Sequence, residues 1–385
     1  MRRVVFLRIH ESCGCAFRPM RLPQNLFFLT FLIIVALLAG CKIRPEGDAR
    51  GGAVVARNDA PLPAPVRIDV AWPTPNTAYL QGREFEAFVQ STASGETTSG
   101  LFGSVRSQGL QFHEGLDLFP LTRDRSGEAT DPVFAALAGV VRHVSTREGA
   151  SSYGRYIVLE HPGMSPAVYT LYAHLAAVVP GVVPGVEVAV GATLGQMGRS
   201  AGGYTIPKDR AHLHFEIGLR MTDEFQAWYI RRGFGNRNEH GLYNGMNLMG
   251  IDPLELFARH RAGGVSSLDE VFSALPTAIK LRIANPVEPD FLRRYPSLIS
   301  RHPTAELALG GGWEIDISPT GVPIRWRRLG TSEIVGWKLD EVRIVATDRA
   351  LLAGNRGRKL VEIRKGVEVP GPDLRTVLEL LFGVK

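Results

Sequence analysis

Cysteine is nearly absent from this chain, and its placement excludes a good deal. There are three in 385 residues, Cys13, Cys15 and Cys41, and none follows Cys41. A mature chain beginning at Cys41 therefore has no disulfide framework and no cysteine nucleophile. Charge is sparse as well, at 21%, with a net charge of +6. That balance suits either an anionic partner or simply a soluble basic surface. No basic run is interleaved with aromatics, which argues against nucleic acid. Long apolar runs are missing but for one, Leu26 to Gly40, which is shorter than the ~20 residues a membrane-spanning helix needs. What remains is a globular composition, 45% apolar, in a chain long enough for more than one domain at ~100–200 residues each.

The single apolar run has the length of a signal-peptide core, and Arg18 and Arg21 supply its positive flank. It ends Leu38-Ala39-Gly40-Cys41, which resembles the lipobox of bacterial lipoproteins. The resemblance implies cleavage before Cys41 and a lipid on its sulfur; an uncleaved anchor or a chance cysteine is the alternative. Met20 is a natural start for such a signal, which leaves Cys13 and Cys15 in an over-long reading frame. Lys42 after the lipidated position leans toward the outer membrane, on the periplasmic face of a Gram-negative envelope. Residues 1–41 thus read as signal and 42–66, rich in Gly, Ala, Pro and Arg, as a flexible tether.

From about Ile68 to Leu256 short apolar runs are cut by Gly and Pro. Val140–Val144, Tyr156–Glu160, Tyr169–Leu175 and Leu213–Ile217 read as strands of an antiparallel β core. Two elements carry chemistry. In His113-Glu114-Gly115-Leu116-Asp117, strand alternation puts residues 113, 115 and 117 on one face, and a helix would also align 113 with 117, though Gly115 disfavours it. In His212-Leu213-His214-Phe215-Glu216-Ile217, alternation puts His212, His214 and Glu216 together. Imidazoles beside a carboxylate are what Zn²⁺ binds.

These segments resemble the LytM and lysostaphin family of zinc endopeptidases, which cut peptidoglycan. His113 to Asp117 resembles its His-x-x-x-Asp motif and His212-Leu213-His214 its His-x-His motif. Tyr172-Ala173-His174-Leu175 looks like its central strand. Leu101 to Arg106 looks like the segment before the first ligand, and Ile251-Asp252-Pro253-Leu254 like its closing turn. The resemblance implies one Zn²⁺ held by His113, Asp117 and His214, with His174 and His212 flanking a water activated by the metal. It also implies a mainly β catalytic domain whose antiparallel sheets form an open groove of the duplicated hybrid type. Glu216 is expected to be structural or behind a ligand, and Glu114 to point away from the metal. His143, His161, His240, His260 and His302 stand apart from the motifs and read as packed or surface residues.

Two departures mark the chain. Ile206 to Ala211 replaces the family's usual loop before His-x-His. An insert at about 218–250, rich in Trp228, Tyr229, Arg231, Arg232, Asn236, Asn238 and Tyr243, could line a groove or pack on the C-terminal region. The catalytic domain is expected over 67–262 and a C-terminal α+β region over 266–385. In the latter Leu268–Ile279 and Phe291–Ile299 read as helices, Trp313–Ile317, Val322–Trp326, Ile334–Leu339, Val342–Ala346 and Lys359–Ile363 as strands, and Asp373–Phe382 as a closing helix. That region could pack, target the wall or bind an envelope protein. The expected function is zinc-dependent hydrolysis of peptidoglycan stem peptides or cross-links. The alternative is a silent envelope lipoprotein that binds peptidoglycan or activates a wall amidase.

Overall fold

Turn glycines and alternating apolar residues fold the middle of the chain into short antiparallel strands. The computed structural model describes residues 67–300 and 310–384, all within the compact unit Pro63–Lys385; Cys41 and His302 lie outside the described residues. β1 (Gly103–Arg106) pairs with β2 (Gln111–His113). There follow β3 (Leu116–Leu118), β4 (Pro132–Phe134), β5 (Gly139–Ser145), β6 (Tyr156–Glu160), β7 (Tyr169–Ala173), β8 (Leu175–Val178), β9 (Glu187–Val188), β10 (Thr193–Met197), β11 (Leu213–Arg220) and β12 (Leu248–Ile251). A seven-stranded sheet runs β12-β11-β7-β6-β5-β9, with β3 also on β11, and a three-stranded sheet runs β4-β10-β8. Between β11 and β12 the chain leaves the sheet for α1 (Phe225–Arg231); after β12 comes α2 (Pro253–Arg261), capped by Asp252 accepting from the Leu254 amide.

The C-terminal region contains α3 (Leu268–Ala274), β13 (Ile279–Ile283), α4 (Asp290–Arg294), β14 (Gly312–Ile317), β15 (Pro323–Leu329), β16 (Val342–Thr347), α5 (Arg349–Gly354), β17 (Val361–Arg364), β18 (Val367–Pro370) and α6 (Pro372–Phe382). Its four-stranded sheet is ordered β15-β14-β13-β16, and β17-β18 form a ribbon. The protein is thus mainly antiparallel β with a C-terminal α+β region. Buried Ile217, Leu219 and Phe225 share one core with Ile279, Leu281 and Ile283 of β13, and with Trp326 and Leu378, so that core crosses the turn at Gly263-Gly264.

Four local expectations are corrected. Tyr169–Leu175 is two strands in different sheets, because His174 adopts φ +62° and turns the chain out of the seven-stranded sheet. His113 and Asp117 sit on separate strands, β2 and β3, with Glu114-Gly115 between them. The helix from Leu268 stops at Ala274 because Leu275 precedes a proline and is extended, and Ile279 begins a strand instead of ending a helix. No strand forms at Ile334–Leu339: Gly336 has φ +79°, and Thr331–Ile334 is a 3-10 turn whose Glu333 carboxylate accepts from the Gly330 amide.

Candidate metal centre

Three strands deliver three ligand atoms to one buried spot. β11 pairs with β3 so that His214 lies opposite Asp117, and β2 ends at His113. Gly115 makes the close approach possible: a Cβ there would lie 2.5 Å from the Phe215 carbonyl oxygen and 2.9 Å from His214 Cε1. His113, Asp117 and His214 are all buried. His113 Nε2 lies 3.0 Å from His214 Nδ1, and Asp117 Oδ1 lies 3.1 Å from the former and 3.0 Å from the latter.

The far side of each ligand fixes what it presents. His113 Nδ1 donates to the Leu101 carbonyl at 2.7 Å, so its Nε2 turns a lone pair inward. His214 Nε2 donates to Glu216 Oε1 at 2.9 Å, which leaves Nδ1 as the nitrogen turned toward the cluster. Glu216 in turn accepts from the hydroxyls of Tyr153, at 2.6 Å, and Tyr169, at 2.9 Å. Arg106 donates to Asp117 Oδ2 at 2.6 Å, leaving Oδ1 to the cluster. Such outer partners orient metal ligands and raise their basicity.

The electrostatics favour a cation. Burial alone would make His214 a weaker base, yet hydrogen bonds and charge from Asp117 and Glu216 raise it to about 9. Burial would likewise raise Asp117, but the imidazoles of His113 and His212 hold it well below the carboxylate range. Two imidazole nitrogens and one carboxylate oxygen at this separation match the three-ligand set of a catalytic zinc, whose ligands at ~2.0–2.1 Å from the metal stand about 3.3 Å apart.

His174 and His212 stand next to this cluster, their ring centres 4.8 Å apart. His174 Nδ1 donates to the Ser200 carbonyl and His212 Nδ1 to the Arg210 carbonyl, each at 2.8 Å. Both rings therefore keep Nε2 as a free acceptor, and His212 Nε2 lies 3.6 Å from Asp117 Oδ1. Burial holds both below the usual histidine range, so both are neutral near pH 7.

This geometry brings all five sequence-selected residues together and puts Glu216 behind His214, as expected. Glu114 turns toward Arg358, 3.4 Å away. Arg106, Tyr153, Tyr169 and Ser200 have no role that the sequence assigns. Arg106 enters there only as part of the segment before the first ligand, and nothing local marks the tyrosines. Of the isolated histidines, His161 is fully buried and His143 contacts His240 at 3.3 Å.

Residues 111–225 match the model of peptidase family M23. The match covers the candidate triad, both flanking histidines and β2 to β11, and it shows the resemblance read from the motifs. Solved structures similar to the chain include a zinc-containing peptidase from Vibrio cholerae, at 28% identity over 28% of this chain and 26% of that one, with a TM-score of 0.21. A LytM protein from Ruminococcus gnavus aligns at 30% identity over 28% of this chain and 40% of its own, TM-score 0.23. The catalytic domain of lysostaphin from Staphylococcus simulans aligns at 20% over 40% of this chain and 84% of its own, TM-score 0.25. The chain thus spans well under half the length of the first two. No curated protein sequence matches it.

Proposed function

We propose that this chain is a zinc-dependent peptidase that hydrolyses peptide bonds in the stem peptides or cross-links of peptidoglycan. The observation that carries the reading is the convergence of His113 Nε2, His214 Nδ1 and Asp117 Oδ1 within 3.0–3.1 Å, each held from behind by a partner. Zinc held there by His113, Asp117 and His214 would polarise a carbonyl and lower the pKa of a water toward neutrality. The chain's own groups do the rest. Neutral His174 and His212, each with an acceptor Nε2, stand beside the triad, where one of them could accept a proton from a water and the other could hydrogen-bond the oxyanion. Once protonated, the accepting nitrogen could donate to the leaving amine. Glu216 and Arg106 keep His214 and Asp117 aimed. The M23 match supports the peptidase class, and the presence of all five residues favours an enzyme over a silent amidase activator.

We further propose, from Leu38-Ala39-Gly40-Cys41, that a lipid on Cys41 holds the enzyme at the envelope membrane, facing the wall. Among the described residues no helix is long and apolar enough to cross a membrane.

The test is elemental analysis of the purified chain together with digestion of purified peptidoglycan and identification of the products. About one zinc per chain, with peptide cuts that vanish in His113→Ala, is the expected result. Neither zinc nor cuts would overturn it.

A further inference from the structure

The sheet face that carries the ligand triad continues into a cavity of about 810 Å³. Register pairs His214 with Ala173 and Glu216 with Leu171, and Leu171 with Val158. Alternation then places Tyr156 on the same face as His214, and Tyr156 floors the cavity. Tyr153 is the shared wall: its ring centre is 5.6 Å from that of His214, its hydroxyl donates to Glu216, and it lines the cavity. The opposite walls come from the excursion between β11 and β12 and from the C-terminal region, through residues such as Phe234, Arg237 and Leu380. Those residues lie outside the 111–225 family match, so these opposite walls are the chain's own additions, whereas the Tyr153 and Tyr156 side lies within the match.

Its lining is rich in guanidinium. Arg147, Arg232, Arg237 and Arg358 all face it, against Glu114, Glu239 and Asp373. Arg147 pairs with Glu239 at 3.1 Å, Arg232 with Glu379 at 3.5 Å and Arg358 with Glu114 at 3.4 Å. Among the described residues Arg237 has no carboxylate partner. Arg237 is exposed, and an unpaired planar fork of donors on this mixed polar and apolar lining suits a carboxylate.

We propose that this cavity binds the free terminal carboxylate of a peptide, with Arg237 as its anchor, and so selects substrates whose stem ends nearby; the word substrate here rests on the peptidase reading above. The chamber reaches the candidate metal centre through Tyr153, which lies against His214 and lines the cavity.

The experiment uses the full chain in mild detergent, stripped of metal with a chelator so that neither hydrolysis nor carboxylate binding to zinc intervenes. An N-acetylated tetrapeptide of glycine and alanine with a free C-terminal carboxylate, and the same peptide amidated, are titrated in by calorimetry. The acid should bind at least tenfold tighter than the amide. Arg237→Glu and Arg237→Ala should abolish that preference, and Arg237→Lys should retain part of it. Equal binding of acid and amide, binding of neither, or a preference that persists in both loss variants would overturn the proposal. Because the protein tested holds no metal, a failed digestion assay would sink the peptidase reading without touching this result, and the reverse also holds.

Discussion

Arg106 and Asp117 divide one carboxylate between two tasks: the guanidinium takes Oδ2 at 2.6 Å, and Oδ1 stays with His113 and His214. Removing the guanidinium leaves Asp117 free to rotate. Arg106→Ala should weaken zinc binding by about 10–100-fold, the usual cost of losing a partner behind a ligand. Competition with a chromophoric chelator measures this; unchanged affinity would show that Arg106 does not aim the carboxylate.

Glu216 joins His214 to Tyr153 and Tyr169. Glu216→Ala leaves buried hydroxyls and an imidazole N–H without an acceptor, each worth about 1–3 kcal/mol. The variant should lose zinc affinity and unfold at lower denaturant concentration, while Glu216→Gln, which keeps an acceptor oxygen, should lose less of both. Chemical denaturation of the two variants side by side provides the comparison.

His174 and His212 face the triad without belonging to it. His174→Ala and His212→Ala should each keep about one zinc and lose about 10²–10⁴-fold in peptide cleavage, the range for a lost acid–base group. Loss of the metal in either variant would instead make that residue a ligand.

The C-terminal region grips the hairpin that ends at His113. The Gly357 amide donates to Ser104 Oγ at 3.0 Å, Arg356 donates to the Gln108 carbonyl at 2.9 Å, and the Arg358 guanidinium lies 4.0 Å from the Phe112 ring centre. A Cβ on Gly357 would meet the Phe112 backbone nitrogen at 2.7 Å. Gly357→Val should therefore destabilise the chain by about 1–3 kcal/mol and lower zinc affinity with it. Normal zinc binding in this variant would show that the grip does not hold the ligand in place.

His161 sets a pH limit on stability. Its Nδ1 donates to the Ala138 carbonyl and its Nε2 accepts from Thr170, each at 2.8 Å, and burial lowers its pKa from 6.5 to about 4. Between those values the unfolded chain binds a proton that the folded chain refuses. Stability contributed by the neutral ring is therefore full above the unfolded value and falls as pH drops toward 4. In metal-free protein, the stability lost between about pH 7 and about pH 5 should be smaller in His161→Gln by about 1–2 kcal/mol. Parallel urea curves at the two pH values would show it.

Much of the site is legible because its chemistry is local in sequence. His212, His214 and Glu216 alternate along one strand, and that period survives folding. Tyr156–Glu160 reads as a strand from its β-branched and aromatic residues between turns. Ile279–Ile283 carries the same alternation, yet Ile279 reads as the end of a helix, although Pro276 interrupts it. The turn at His174 has no local signal, since a positive φ at a histidine is held by its surroundings. The hydroxyls on Glu216 and the grip of Gly357 on Ser104 join residues far apart in the chain.

The sequence by itself determined which residue types could bind zinc, which strands could carry them, and that no cysteine beyond Cys41 takes part, because these follow from side-chain chemistry and a two-residue period. Only the tertiary structure decided that His113 and Asp117 arrive on separate strands, that Arg106 and Glu216 hold Asp117 and His214 from behind, and that the insert and the C-terminal region wall a cavity nearby. Those are outcomes of long-range packing, where contact is set by how sheets and buried surfaces close together rather than by neighbours along the chain.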